Sequence, residues 1–218
     1  ALNVRYRNDI PLFSLADTPY EVIITRSGMH NVLNALGALQ AVFMLPLFGD
    51  FGTRFKLETA VTALASYQGT GRRFEVMGEI DHIIVIDDYA HHPTAIRVTL
   101  EAARMRYPGR DVWAVWQPHT YSRTSALWAD YLASFGAADH VIVTEIYAAR
   151  EAPDPNVTAD RFVAELAQKH ADARLSASLD QAAAVLVRDV QSPAVILIMS
   201  AGDAPQIGRS FLAQRGRS

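Results

Sequence analysis

The residues of this 218-residue chain with most chemical capacity fall in four short stretches, each directly after an apolar run. Ile83 to Asp87 leads into Asp88-Tyr89-Ala90-His91-His92-Pro93, and Val112 to Trp116 into Gln117-Pro118-His119-Thr120-Tyr121-Ser122-Arg123. His140 to Thr144 leads into Glu145-Ile146-Tyr147-Ala148-Ala149-Arg150, and Ala194 to Met199 into Ser200-Ala201-Gly202-Asp203. Histidine moves a proton near neutral pH, and arginine grips phosphate or carboxylate with parallel N–H donors. One such loop alone has a second reading, a polar connection whose Asp or Ser caps the next helix. Four together, with paired histidines and aromatic–arginine combinations, point to a site. An extended backbone turns adjacent His91 and His92 to opposite sides, so a two-histidine metal clamp is not expected. One is expected to face a ligand while the other packs.

Three further positions lie upstream. His30, in Ser27-Gly28-Met29-His30-Asn31, opens a helix and is either a turn histidine or a ligand. Arg72 and Arg73 are either solvated or poised for bidentate phosphate contact. Two nucleotide signatures are missing. Gly69-Thr70-Gly71 follows a helical segment and runs on to Phe74 where a third glycine is required, so the dinucleotide fingerprint fails and hydride transfer is not expected. The chain has two lysines, Lys56 after Phe55 and Lys169 after Gln168, and neither completes the Gly-Lys-Ser/Thr of a P-loop.

The elements that must position these loops follow from periodicity. Leu2 to Pro19 reads as a short strand or two with turns, and Tyr20 to Arg26 as a strand. A helix then buries Val32, Leu33, Leu36, Leu39 and Phe43 and ends at Pro46 and Gly49. A second, about Lys56 to Tyr67, places Leu57, Val61 and Leu64 on one face. Beyond Gly78, strands at Ile83–Asp87, Val112–Trp116, His140–Thr144 and Ala194–Met199, with a weaker one near Ala173–Leu175, alternate with helices. Those helices are expected at about Thr94–Arg106, Thr124–Phe135, Thr158–His170, Leu179–Val190 and Pro205–Gln214. Short apolar strands separated by helices predict an α/β fold, a doubly wound and mainly parallel sheet covered on both faces. Its ligands would bind beyond the carboxyl ends of the strands. One boundary is drawn, near Gly78.

Composition narrows the function. Half the residues are hydrophobic and 20% are charged, which excludes disorder as the main state. Twenty basic against 23 acidic side chains leave a net charge of −3, with no positive field for nucleic acid or acidic lipid. No apolar run approaches the roughly 20 residues of a membrane helix. The absence of cysteine excludes disulfides and thiol nucleophiles and fits a cytoplasmic setting.

Three stretches in order, Asp87 to Thr94, Gln117 to Thr124 and Ile146-Tyr147-Ala148-Ala149-Arg150-Glu151, resemble motifs of the Mur ligases, in the branch that adds alanine. Gly28-Met29-His30-Asn31-Val32-Leu33-Asn34-Ala35 and Arg72-Arg73-Phe74-Glu75 resemble motifs of their central domain. The likeness runs from about residue 20 to 208. Family members have a UDP-sugar domain, a central ATPase domain with a P-loop, and a Rossmann-like C-terminal domain. The resemblance therefore implies that residues 1–78 are the C-terminal part of a truncated central ATP-binding domain and residues 79–218 the C-terminal ligase domain.

The implied function is part of an ATP-dependent ligase that joins L-alanine to UDP-N-acetylmuramate through an acyl phosphate in peptidoglycan precursor synthesis. ATP and Mg2+ are the implied cofactors, and the missing N-terminal portion of the same enzyme is the implied partner. Residue by residue, the resemblance implies His30 as a ligand of the catalytic metal, Asn34 near the adenine, Arg73 at the nucleotide and Asp88 near the ribose. It implies His91 and Arg123 as catalytic, and His119, Arg123, Tyr147 and Arg150 as substrate contacts. Thr120 stands where some members have a second arginine, and Ser200 where many have glycine. Lacking the P-loop, the chain alone is expected to be inactive. The alternative is a non-catalytic nucleotide-binding or interaction module that has lost the P-loop.

Overall fold

The computed structural model describes residues 2–7, 10–25, 28–44, 56–67 and 70–217, without the side chains of Leu2 and His30. These divide into two units, Ala1–Thr70 and Gly71–Ser218. In the first, β1 (Leu2–Arg7), β2 (Ile10–Ser14) and β3 (Glu21–Ile23) form an antiparallel sheet in that order. The helices α1 (Met29–Met44) and α2 (Leu57–Ser66) follow. Its core gathers Phe13, Val22, Ile24, Val32, Ala35 and Leu39, with Leu36, Leu57, Val61 and Leu64 packed against it. The α1 stripe is narrower than expected. Leu33 and Phe43 are exposed: Leu33 stands one residue off the face through Val32, Leu36 and Leu39, and Phe43 continues that face in the last turn of α1, beyond the residues that gather in the core. The strand expected from Tyr20 to Arg26 is only Glu21–Ile23, and Ser27, Pro46, Gly49 and Gly69 lie outside the described residues.

The second unit begins with β4 (Glu75–Ile80) and β5 (Ile83–Asp88), continues through α3 (Pro93–Arg106), β6 (Asp111–Trp116), α4 (Tyr121–Ala126), α5 (Trp128–Leu132), β7 (His140–Thr144), α6 (Ala159–Leu166), β8 (Ala173–Ser176), α7 (Leu179–Asp189) and β9 (Ala194–Met199), and closes with α8 (Pro205–Arg215). The strands lie in the order β4-β5-β9-β6-β7-β8, all parallel except the antiparallel edge strand β4. Alternation along the strands sorts the core by face. Ile84, Ile86 and Trp116 pack with Ile96 and Leu100 of α3, Tyr131 of α5 and Phe162 of α6. Ile83, Val85 and Ile196 pack with Leu186 of α7 and Ile207 and Phe211 of α8. Every residue of β5 and β9 is buried, and each large aliphatic side chain among them contributes about 1.5–3 kcal/mol. The doubly wound sheet expected from the sequence is present.

Two expectations change. The boundary near Gly78 falls inside β4, whose residues Glu75–Ile80 pair with Asp87–Ile83 of β5, and the division lies between Thr70 and Gly71. An exposed edge strand without a clean alternation, Glu75-Val76-Met77-Gly78-Glu79-Ile80, carries little signal. The helix expected over Thr124–Phe135 is two short ones. Thr120 starts α4 by accepting from Arg123 N, and Leu127, at φ −113° and ψ 20°, interrupts the run before α5.

Candidate functional site

The strand β5 feeds α3 on one face of the sheet, whereas its neighbour β9 feeds α8 on the other. Such a reversal opens a crevice at the carboxyl ends of the strands. Here the chain's own side chains bridge it. Arg72 donates through Nε to Asp87 Oδ2 at 3.0 Å, through Nη2 to Ser200 O at 2.7 Å and through Nη1 to Gly202 O at 3.2 Å, tying the end of β5 to the loop after β9. Gln117, at the end of β6, bonds to the same loop from the other side. Arg72 is therefore a structural cross-brace, not a solvated or phosphate-seeking arginine. Burial, opposed by the Arg72 charge, pushes the Asp87 carboxyl upward, and its Oδ1 is buried without a partner.

Arg72 and Phe74 both have positive φ, 58° and 50°, a costly conformation for residues with a Cβ. The surroundings hold it. Tyr89 N donates to Arg72 O at 2.7 Å, Arg72 N to Glu75 Oε2 at 2.6 Å and Phe74 N to Asp88 Oδ2 at 2.7 Å. Ala90 N takes the other Asp88 oxygen at 2.8 Å, so a carboxylate only 7% exposed spends both oxygens on backbone. Burial raises the Asp88 pKa, and the two amides and the Arg73 charge oppose the rise. Between the two strained residues Arg73 lies over the Tyr89 ring, 5.4 Å from guanidinium carbon to centroid, and forms no ion pair among the described residues.

Tyr89 starts a row of rings. Its ring meets His91 edge-on at 5.2 Å, His91 lies 6.1 Å from His119, and His119 stacks on Tyr147 at 5.6 Å and 23°. An isolated parallel bridge sets that last pair: Tyr147 N donates to Pro118 O at 2.8 Å and Thr120 N to Tyr147 O at 2.9 Å. Thr120 adopts φ 65°, unusual for a β-branched residue, and its bridge and helix cap hold it there. The two adjacent histidines take different tasks. His92 is exposed and caps α3 by accepting from Thr94 N. His91 places Nδ1 2.9 Å from Tyr89 O, and its own carbonyl accepts from Tyr131 Oη at 2.6 Å.

Partner chemistry assigns both ring tautomers. A carbonyl only accepts, so Nδ1 of His91 carries a proton and Nε2 of the neutral ring is left as an acceptor. Arginine only donates, so His119 Nδ1, 3.1 Å from Arg123 Nη1, is unprotonated. Burial, Arg123 and His91 lower the His119 pKa, against a pull from Glu151. Glu151 accepts from Ser122 N at 2.9 Å and from its hydroxyl, which holds its carboxyl below the usual range. Burial pushes Tyr131 up to about 12, leaving its hydroxyl a permanent donor.

Of the expected site residues, His91, His119, Arg123 and Tyr147 form one cluster, joined through Tyr89 to Arg73, with Asp88 clamped beneath. Arg150 is exposed in the Tyr147 loop. Asn34 belongs to the other unit, where it lines an apolar cleft of about 510 Å3 between α1 and α2. The His30 backbone is in α1, while its side chain lies outside the described residues. Among the described residues no group of three His, Asp or Glu is placed to hold a metal ion. Sequence reasoning missed the bracing by Arg72 and Gln117, the Glu151 brace on Ser122, and Tyr131. Gln117 alone left a trace, as an amide directly after five buried strand residues.

Residues 72–202 match the family model described as Mur ligase, glutamate ligase domain. The chain is 40% identical over 192 residues to the UDP-N-acetylmuramate–L-alanine ligase of Alkaliphilus metalliredigens, covering 86% of this chain and 39% of that protein. It is 41% identical over 196 residues to the ligase of the same name from Chloroflexus aggregans, covering 90% and 40%. It thus spans about two fifths of the length of these relatives. Among solved structures, the murein peptide ligase of Psychrobacter arcticus superposes with a TM-score of 0.71 at 25% identity, over 99% of this chain and 44% of that one. The UDP-N-acetylmuramate-alanine ligase of Thermotoga maritima has the same fold, with a TM-score of 0.71 at 24% identity over 96% and 44%.

Proposed function

Because the chain belongs to the Mur ligase family, we propose that it is part of an ATP-dependent ligase joining L-alanine to UDP-N-acetylmuramate, and that it supplies the face on which the sugar nucleotide is held. The observation that carries this reading is the row Tyr89, His91, His119 and Tyr147 with Arg123 on His119, at the carboxyl ends of parallel strands. The identity to relatives named for that reaction supports it. Arg123 keeps donors free for an anionic group of the sugar nucleotide. Tyr147 and His119 offer ring faces beside it, and exposed Arg150 adds a cation at the rim.

Bound ATP would supply the phosphoryl group that turns the muramate carboxylate into an acyl phosphate. Arg73, presented by its strained turn, is the cation for the nucleotide phosphates, with Asp88 holding that turn and Asn34 serving the adenine. The alanine amine must lose a proton as it forms the amide bond and phosphate leaves, and His91 Nε2 is the acceptor suited to take it. The described residues do not assemble a site for Mg2+; His30 is its proposed ligand from this chain. ATP and a nucleotide sugar as reactants place the reaction in the cytoplasm. No helix among the described residues is long and apolar enough to cross a membrane. A module without catalytic purpose is not favoured, since nothing in such a role calls for His91 to keep an acceptor nitrogen in the ring row next to His119.

The test is calorimetric titration of UDP-N-acetylmuramate into the chain, with ADP release followed after ATP, Mg2+ and L-alanine are added. Saturable binding without turnover is expected, because backbone amides and lysine of a P-loop normally hold the phosphates. Absence of binding would overturn the assignment of this face, and turnover would overturn the division of labour.

A further inference from the structure

Gln117 is 5% exposed and stands where β6 ends. Its Oε1 accepts from Ser200 Oγ at 2.8 Å and from Ala204 N at 3.3 Å, while Nε2 donates to Asp203 Oδ1 at 2.7 Å. Ser200 Oγ in turn accepts from Gly202 N at 2.7 Å. The loop after β9 is thus wound around one amide and distinguishes its two ends: donors meet the oxygen and a carboxylate meets the nitrogen. Gly202 lies against that amide. A Cβ there would come within 2.5 Å of Gln117 Oε1 and 2.9 Å of Tyr147 Cγ, so only bare backbone fits between the amide and the ring. That same ring stacks on His119, whose Nδ1 holds Arg123.

We propose that Gln117 is a positioning residue: through the Ser200–Ala204 loop and the bare backbone of Gly202 it holds the Tyr147 ring against His119, and thereby sets the pose of the Arg123 fork. The proposal rests on the ligase reading only for the identity of the ligand that the fork receives. The Ser200 hydroxyl, at a position where glycine would contribute none, is a working part of this device. The groups facing the imidazole are Arg123 on α4, His91 from the loop after β5, and Tyr147 and Glu151 from the loop after β7. Arg123 and His91 drive its proton off and Glu151 draws one on. If the Tyr147 ring lifts, water reaches the imidazole and the contact with Arg123 loosens. Both changes favour the protonated form.

The experiment follows the imidazole resonances of His119 against pH in the full chain, identified with a His119→Gln variant. Gln117→Leu, which removes both ends of the amide at similar size, is expected to raise the His119 midpoint by roughly half a pH unit. Ser200→Ala is expected to shift it the same way, and Ser200→Thr, which restores the hydroxyl, to return it. The resonances of His140, stacked on Trp113 where β7 begins, should be unmoved by all of these, which separates positioning from general loosening. If Gln117→Leu does not fold, Gly202→Ala reads the same device at its other part, since its Cβ would force apart Gln117 Oε1 and the Tyr147 ring, which the bare backbone holds together. An unchanged His119 midpoint in folded Gln117→Leu or Gly202→Ala overturns the proposal. A second arm adds UDP-N-acetylmuramate. A shifted His119 midpoint with no response of either protein to the sugar nucleotide supports the positioning role and overturns the ligase reading instead.

Discussion

Arg123 spends one Nη donor on His119, and the accepting imidazole nitrogen must be unprotonated, because arginine only donates. The rest of the planar fork is left for a ligand, so its worth appears in binding more than in folding. Arg123→Ala is expected to weaken UDP-N-acetylmuramate binding by the 1.5–3 kcal/mol of a charge-assisted contact, about tenfold to over a hundredfold. Its melting temperature should change little, as for a half-buried surface side chain. Arg123→Lys should recover only part, since a point charge does not reproduce the fork. Calorimetry with matched thermal melts decides; undiminished affinity for both variants would remove Arg123 from the site. The arginines also show where residue-level reading stops. Arg72 and Arg73 are indistinguishable as adjacent cations, and both lie over the Tyr89 ring, yet only Arg72 is also consumed by Asp87 and two carbonyls. The tertiary position of each guanidinium, not residue type, makes that division.

At the scale of elements, the helices differ in how closely they approach the sheet. A Cβ on Gly208 of α8 would lie 2.7 Å from Met77 Sδ and 3.0 Å from Val85 Cγ1, whereas one on Gly37 of α1 would meet nothing within 4 Å. The same kind of substitution should therefore have opposite signs. Gly208→Val is expected to cost about 1–3 kcal/mol by overpacking against β4 and β5. Gly37→Ala should add about 0.5–1 kcal/mol through helix propensity alone. Urea midpoints measure both, and a stabilised Gly208→Val would contradict the close approach of α8. The buried parallel strands were legible because their residues are apolar on both faces. The edge strand β4 was not, since its partner β5 rather than its own pattern keeps it extended. The break between α4 and α5 was equally hidden, because neither glycine nor proline marks Leu127.

For the whole molecule, the two units carry cores of unequal size. The sheet of Gly71–Ser218 has a buried cluster on each face, while the described residues of Ala1–Thr70 gather one small cluster around Phe13 and leave Met29, Leu33 and Phe43 exposed. Residues 71–218 produced alone are expected to fold and to keep the higher of two calorimetric transitions, the lower belonging to residues 1–70. Loss of cooperative melting in the shorter chain would show that its core does not suffice. Both large clusters lie entirely within it, so the physical expectation is independent folding.

The sequence by itself determined the parallel sheet, the strand ends at which the polar motifs sit, and the family, because periodicity and motif order are local properties of a chain. It placed His91, His119, Arg123 and Tyr147 on six-residue and seven-residue loops without saying that they meet. Only the tertiary structure decided that Arg72 and Gln117 bridge the crevice between strands β5, β9 and β6, that His92 caps a helix while His91 joins the ring row, and that Asp88 spends its charge on backbone. Each of those outcomes depends on strands far apart in sequence lying side by side. The order β5-β9-β6 brings residues near 72, 88, 117 and 202 within hydrogen-bond reach, and no local pattern encodes that order.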